Sequence, residues 1–263
     1  MKRLAVIGHP IEHSRSPAMH TAALAEMGLA DEWSYEAIEL KDDDFLAWVQ
    51  AMPAEGFLGA NVTIPYKQKA LKVADAAGEA ADEIGAANTL SFVAGEIRAD
   101  NTDAQGLLDA LPEPPEGKQA LVLGAGGAAR AVVWALVREG AEVDVWNRTP
   151  QIARTLCAEL GGNPIETFDP RSYELLVNST SVGLHGEPPF VELPFEASHL
   201  EEGHTIVDFV YGAERSQLLS AASAAGAATV DGIEILVQQG ARSLEIWTGL
   251  EPPLDTMRAA ARK

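Results

Sequence analysis

The sequence predicts an α/β protein of two domains, the second a doubly wound sheet, with the last helices returning to the first domain. Three observations carry this. Short apolar runs alternate with longer helical patterns from Leu4 onward, a proline-rich stretch from Pro112 to Gly117 interrupts the alternation, and a glycine-rich turn from Gly124 to Arg130 then joins a fresh apolar run to a fresh helical one. Alternating strands and helices are the pattern of sheets covered by helices. Three prolines between Pro112 and Pro115 make a stiff connector that no helix can continue, and so mark a boundary.

Taken in order, Leu4 to Ile7 reads as a strand, Pro17 to Met27 as a helix, alternating Trp33 to Leu40 as a strand and Asp43 to Met52 as a helix. Phe57 to Val62 follows as a strand, Tyr66 to Ala77 as a helix, and Thr89 to Ile97 as a hairpin turning at Ala94-Gly95. A parallel sheet is expected from these runs. Asp103 to Leu111 is helical up to the prolines. Beyond them Ala120 to Leu123, a helix to about Glu139 and Glu142 to Trp146 form one βαβ unit, and Thr149-Pro150 opens a helix over Gln151 to Leu160. Strands at Leu175 to Val177, Thr205 to Val210 and Ala227 to Val230, with a helix from Ser216 to Ala225, complete a second sheet. Ile233 to Thr248 and Leu254 to Arg262 read as two helices split by Gly249 and Pro252-Pro253. No strand follows to carry them into that sheet, so they are expected on the first domain.

The 263 residues include 39 acidic and 19 basic side chains, a formal net charge of -20. So acidic a chain repels phosphate backbones and anionic lipid, and its basic residues form no runs, which argues against nucleic-acid and membrane partners. No apolar window is long enough to span a bilayer, and the run from Leu4 to Ile7 is too short for a signal peptide. A single cysteine, Cys157, excludes an internal disulfide and fits a reducing, cytoplasmic setting. His9, His13 and His20 lack metal-ligand spacing, and no metal is expected; His185, His199 and His204 read as solvated.

Gly124-x-Gly126-x-x-Ala129 follows a strand and opens a helix. The first glycine permits the tight turn, the second lets the backbone approach a pyrophosphate, and Ala129 permits close helix–strand packing, with the phosphates at the helix N-terminus. A dinucleotide is the natural ligand. The end of the next strand, where an NAD site carries an acid for the ribose, reads Asn147-Arg148-Thr149. A guanidinium there suits a 2′-phosphate, so NADP is preferred. Thr149 also reads as the cap of the helix that Pro150 opens. Arg130 and Arg154 could add positive potential, whereas Asp144, inside the strand, points elsewhere.

Polar residues cluster in the loops of the first domain: Ser14-Arg15-Ser16, Asn61 to Lys67, Asn88, and Asn101-Thr102-Asp103. The first two follow strand ends at the carboxyl side, where open α/β sheets bind ligands. Hydroxyls and amides around one lysine and one aspartate suit a small hydroxylated acid, and Lys67 with Asp103 would make a proton-transfer pair if the fold brings them within reach. Read singly, Ser16-Pro17 is an ordinary helix cap, Lys67 a solvated charge and Asp103 an N-cap.

These residues resemble the shikimate dehydrogenase family. The resemblance rests on Ser14-x-Ser16, Asn61 to Lys67, Gly85 to Thr89, Asn101-Thr102-Asp103-x-x-Gly106, Gly124 to Arg130, Asn147-Arg148-Thr149, Asn178 to Gly183 and Leu236-Val237-x-Gln239, in family order over nearly the whole chain. It implies reversible NADPH-dependent reduction of 3-dehydroshikimate to shikimate, on the route to chorismate and the aromatic amino acids. It also implies a substrate-binding domain over 1–101 plus 237–263 and a Rossmann-like NADP-binding domain over 102–236. By the family's pattern Lys67 is the acid/base and Asp103 orients the substrate hydroxyl. Ser14, Ser16 and Tyr211 would meet the carboxylate, and Thr63, Asn88, Asp103 and Gln239 the ring hydroxyls. Gly124, Ala125, Gly126, Gly127 and Ala128 would meet the pyrophosphate, and Asn147, Arg148 and Thr149 the adenosine phosphate, with Arg130 nearby. Ser181, Phe209 and Gly232 would lie near the nicotinamide and Glu79 at the cofactor edge. The chain departs from the pattern at Ile235, where the family carries methionine. A quinate/shikimate dehydrogenase is the nearest alternative; a non-catalytic sensor would not need both Lys67 and Asp103. A monomer and a homodimer both stay open.

Overall fold

The structure, a computed structural model, describes residues 1–41, 44–184, 186–212 and 214–263. Asp43, the expected start of a helix, and His185 lie outside the described residues. The chain divides into two compact units, Met1–Gly106 with Leu236–Lys263, and Leu107–Ile235.

In the first unit the order is β1 (Lys2–Gly8), α1 (Ser16–Glu26), β2 (Trp33–Glu39), α2 (Phe45–Ala51), β3 (Phe57–Val62), α3 (Lys67–Val73), β4 (Ala76–Ala77), α4 (Glu79–Ile84), β5 (Thr89–Val93) and β6 (Glu96–Asp100), after which α5 (Asp103–Ala110) begins. The strands lie in the order β2-β1-β3-β5-β6-β4. β1 runs parallel to β2 and β3, but β5 is antiparallel to both β3 and β6. The sheet is therefore mixed, not parallel as expected. Its cause is the turn at Ala94-Gly95, with φ of 53° and 86°, a two-residue reversal that pairs its flanking strands antiparallel.

The helix expected over Tyr66 to Ala77 stops at Val73. Asp75 turns its backbone N–H onto Ile97 O and accepts the Ile97 N–H on its carboxylate, and Ala76-Ala77 then pair with β6. α4 follows, an element the periodicity did not show. In the core Phe45 stacks on Tyr66 at 4.6 Å, and the Tyr66 hydroxyl donates to Leu40 O. Burying Phe45 and Phe57 stabilises the unit by roughly 1.5–3 kcal/mol each. His20 is buried against Tyr35 at 4.1 Å with neither ring nitrogen hydrogen-bonded, and burial lowers its pKa to about 3. His9 instead faces Glu39 at 3.0 Å. His204 is buried, not solvated as expected: Nδ1 accepts the Glu201 N–H, and Nε2 has no partner.

The second unit contains β7 (Gln119–Leu123), α6 (Gly127–Arg138), β8 (Glu142–Trp146), α7 (Pro150–Leu160), β9 (Asn163–Ile165), β10 (Leu175–Asn178), α8 (Pro189–Glu192), β11 (Thr205–Asp208), α9 (Gln217–Ala224) and β12 (Ala228–Asp231). All pairs are parallel, in the order β12-β11-β10-β7-β8-β9. This is the doubly wound arrangement, and the order reverses between β7 and β10, the switch point where such sheets bind ligands. The division between the units falls inside α5, because Leu107 is fully buried in the second core with Val132 and Val177. Pro112 to Gly117 thus connects α5 to β7 within the second unit.

α10 (Gly232–Thr248) begins in the second unit and from Leu236 belongs to the first, as does α11 (Leu254–Ala261), which packs on α1. The last helices return to the first domain as expected. Among the described residues no helix is long and apolar enough to cross a membrane.

Candidate active site

Lys67 opens α3 and Asp103 opens α5, and Lys67 Nζ lies 2.6 Å from Asp103 Oδ2, with the two side chains 12% and 7% exposed. This is a charge-assisted hydrogen bond, largely withdrawn from solvent. The α5 cap is Asn101, not Asp103: Asn101 Oδ1 accepts from the N–H groups of Asp103 and Ala104 at 3.1 and 3.4 Å. Capping by Asn101 leaves the Asp103 carboxylate free for Lys67 and Asn88.

Asn88 Oδ1 accepts the Thr102 N–H at 2.7 Å, which fixes the amide so that Nδ2 faces Asp103 Oδ1 at 2.9 Å and Gln239 Oε1 at 3.0 Å. Gln239 arrives on α10, whose approach requires Gly106: a Cβ there would sit 2.7 Å from Gln239 Cβ and 2.8 Å from its backbone nitrogen. Lys67, Asn88, Asp103 and Gln239 therefore form one bonded cluster. Behind it lie Thr89, Thr102, Asn61 and Ser243, buried and mutually hydrogen-bonded. Sequence reasoning missed Ser243. Its spacing of four residues from Gln239 puts it on the same helix face, a signal available in the sequence.

Ser14 and Ser16 stand in the loop after β1 and at the start of α1, with Ser14 Oγ accepting the Ser16 N–H at 3.3 Å. The N-cap of α1 is Arg15, so Ser16 is not the cap. Thr63 follows β3, and its methyl lies over Gly8, where a Cβ would be 2.5 Å away. These residues share the carboxyl edge of the parallel strands β1 and β3. Glu79 is exposed at the start of α4.

In the second unit Gly124 has φ of +108°, which a side chain rarely adopts, and a Cβ would meet Ser179 Oγ at 2.8 Å. Gly126 caps α6, and a Cβ there would meet nothing within 4 Å, so open space fronts the positive end of a 12-residue helix. Ala125, Gly127 and Ala128 complete this turn. Asn147 Nδ2 donates to Thr149 O at 2.9 Å, closing the loop after β8. Thr149 occupies the N-cap position of α7, but its hydroxyl makes no cap bond. The Arg148 side chain is 87% exposed, with Glu192 3.8 Å away. Arg130, in contrast, is buried and paired with Glu159 at 2.6 Å, and Arg154 pairs with Glu166. Asp144 is committed to the Tyr173 hydroxyl at 2.7 Å and to Asn163 Nδ2 at 3.2 Å. Burial, then the bond to Asp144, pushes the Tyr173 phenol above its ordinary pKa.

At the ends of β10 and β11, Asn178 Nδ2 donates to Asp208 Oδ1 at 2.9 Å, and burial raises the Asp208 carboxyl. Tyr211 lines a cavity of about 210 Å3 there with Gly183, Glu187, Asp208 and Ser216. Ser181 is exposed, Phe209 half-buried, and Gly232 lies so close to the Phe209 carbonyl that a Cβ would be 2.6 Å from its oxygen. Ile235 is buried in the second core. The fit to a dinucleotide rests on the open space before Gly126, the exposed Arg148 and the engaged Asp144.

Family models agree with this arrangement along the chain. Residues 6–90 match the shikimate dehydrogenase substrate binding domain, 109–182 shikimate / quinate 5-dehydrogenase, and 232–262 the shikimate 5'-dehydrogenase C-terminal domain. A shikimate dehydrogenase (NADP(+)) of Methanocella arvoryzae is 42% identical over 98% of this chain and 97% of its own. One of Thermus thermophilus is 43% identical over 100% and 98%. The crystal structure of shikimate 5-dehydrogenase from Thermus thermophilus in complex with NADP(H) and shikimate superposes with a TM-score of 0.90 at 42% identity, covering 100% of this chain and 99% of that one. A carboxyl-edge cluster on one sheet, a dinucleotide turn on the other and full-length similarity at this level place the chain in the shikimate dehydrogenase family.

Proposed function

We propose that this chain catalyses the reversible, NADP-linked interconversion of shikimate and 3-dehydroshikimate, with Lys67 as the group that gives and takes the proton. The observation that carries the reading is the Lys67–Asp103 bond of 2.6 Å, set beside the Asn88 and Gln239 amides. The first unit serves as the substrate-binding domain and the second as the NADP-binding domain.

In the reducing direction the Lys67 ammonium gives its proton to the carbonyl oxygen as the carbon receives hydride, leaving a neutral amine and a hydroxyl; oxidation reverses both transfers. NADPH, when bound, supplies that hydride. Asp103 holds the ammonium in one rotamer and receives the substrate hydroxyl, while Asn88, Gln239 and Thr63 meet the other ring hydroxyls. A substrate lacking one of these hydroxyls leaves buried polar groups unpaired, which is the basis of discrimination. Ser14 and Ser16 take the carboxylate, and Tyr211 offers its hydroxyl at the cavity it lines in the second unit. Gly124 to Ala128 hold the pyrophosphate at the start of α6, Asn147, Arg148 and Thr149 the 2′-phosphate, and Ser181, Phe209 and Gly232 border the nicotinamide. Arg130, paired with Glu159, supports the turn without a free charge. Glu79 belongs to the cofactor edge. The reaction places the chain on the route to chorismate, and its lone buried Cys157 suits a cytoplasmic setting.

The test follows absorbance of the reduced cofactor with shikimate and NADP, beside quinate and NAD arms and a Lys67→Ala protein. NADP-linked oxidation of shikimate that is lost in Lys67→Ala, with shikimate binding retained, is the expected result. Preference for quinate or NAD, or full activity without Lys67, overturns it.

A further inference from the structure

We infer that Ser243 is a positioning residue of the substrate site, its hydroxyl setting where the Thr89 and Thr102 protons point and so whether the Gln239 side-chain oxygen is left open to a polyhydroxylated ring. The inference rests on the function proposed above.

Ser243 is fully buried on α10, one turn after Gln239. Its Oγ lies 2.9 Å from Asn61 Nδ2, 3.0 Å from Gln239 O, 2.8 Å from Thr89 Oγ1 and 3.1 Å from Thr102 Oγ1. A hydroxyl has one proton and two acceptor sites for these four neighbours. Asn61 Nδ2 can only donate, since its amide is oriented by the Tyr35 hydroxyl on Oδ1 at 2.7 Å and by Asn88 O near Nδ2 at 3.3 Å. Gln239 O can only accept. Ser243 therefore accepts from Asn61, donates to Gln239 O, and keeps one acceptor site for a threonine hydroxyl.

That last site decides the rest. Thr89 and Thr102 both also reach Asn88 Oδ1, at 3.1 and 3.2 Å, so the threonine that does not serve Ser243 serves Asn88. Asn88 Nδ2 has two protons for three acceptors, Thr102 Oγ1, Asp103 Oδ1 and Gln239 Oε1. Without the serine oxygen, the Asn61 Nδ2 proton not given to Asn88 O is left with Thr89 Oγ1 at 3.4 Å, Thr89 sends its own proton to Asn88, and the Thr102 proton turns toward Gln239 Oε1 at 3.5 Å. The lone pair that Gln239 would present to substrate is then occupied from behind. The polarity of the cluster facing the ligand is thus set by a group that does not touch it.

The test uses Ser243→Ala, which removes one buried oxygen, Thr89→Val, which is nearly isosteric, and the double variant, all in the full chain. Steady-state KM for shikimate and for NADP, calorimetric Kd for shikimate, and the melting temperature are measured. Ser243→Ala is expected to raise both shikimate constants about tenfold, the loss typical of one buried hydrogen bond, with KM for NADP held within about twofold. Thr89→Val leaves the Thr102 hydroxyl to serve Ser243, so its shikimate constants stay within about twofold of wild type, and in the double variant Thr102 is free to return to Asn88 Oδ1, so the constants fall back from the Ser243→Ala values. Should Ser243→Ala fail to fold, Ser243→Cys, which puts a weaker acceptor in the same place, is expected to raise the shikimate constants in the same direction. In the Ser243 variants, a lowered melting temperature with unchanged shikimate constants, or shikimate and NADP constants rising together, overturns the inference and leaves the proposed function standing. A wild-type protein that does not oxidise shikimate overturns both.

Discussion

Replacing Lys67 by methionine keeps most of the side chain's length and removes its charge. The consequence can be sized from the site. Lys67 Nζ and Asp103 Oδ2 are 2.6 Å apart and both side chains are nearly buried, so Asp103 becomes an uncompensated carboxylate. Removing one partner of a buried pair costs about 3–5 kcal/mol. Asn88 Nδ2 still donates to Asp103 at 2.9 Å, which places the expected loss near the lower end, about 3 kcal/mol. At roughly 2–4 °C per kcal/mol for a domain of this size, the melting temperature falls by about 6–12 °C. Asp103→Asn strands the ammonium in the same way. The double variant strands neither charge and recovers about 2 kcal/mol of the summed single losses. Urea unfolding of the four ligand-free proteins at one pH measures the cycle, and turnover falls by about 10²–10⁴ in every variant. A Lys67→Met protein as stable as wild type, or single losses that simply add, would falsify the idea of one buried, interacting pair.

Three further outcomes follow from particular contacts. His20 has a folded pKa of about 3 against 6.5 unfolded, so the unfolded chain takes up the proton first; the stabilising contribution is complete above pH 6.5 and is lost as pH falls toward 3. Between pH 6.5 and 5 wild type should lose about 2 kcal/mol more unfolding free energy than His20→Phe, and equal losses in urea titrations would contradict this. Gly106→Ala drives a Cβ against Gln239, so α10 must shift at a cost of about 1–3 kcal/mol, with a raised KM for shikimate; an unchanged KM counts against the close crossing. Arg148→Gln should raise KM for NADP about tenfold and leave KM for NAD alone, and a parallel rise in both would remove Arg148 from the phosphate site.

Elements whose cause is local were legible in the sequence. β3 and β8 alternate or run apolar between clear breakers, and the Ala94-Gly95 reversal announced the hairpin. Elements made by pairing with distant residues were not. β4 exists because Ala76 and Ala77 meet Arg98 and Ala99, α4 has six residues and therefore no periodicity to read, and β9 holds Pro164 on a sheet edge. The site divides in the same way. The identities of Lys67, Asn88, Asp103 and Gln239 could be named, but their distances depend on a hairpin, a cap at Asn101 and a helix arriving from the far end of the chain. Asp144 was rightly set aside, whereas the Glu159 partner of Arg130 left no trace in spacing.

The Tyr173–Asp144 bond constrains any attempt to re-engineer the chain toward a cofactor without the 2′-phosphate. The sheet already holds a carboxylate near the right strand end, so freeing it with Tyr173→Phe looks like the short route. That route fails on location: Asp144 lies in β8 beside Cys157, whose thiol it helps to raise to about 11 after burial itself. A released Asp144 would sit half-buried, answered by Asn163 alone among its present side-chain donors, and destabilise the unit without moving toward the ribose. On the proposed placement of the 2′-phosphate, redesign introduces its acid at Asn147 or Arg148 and leaves the tyrosine where it is.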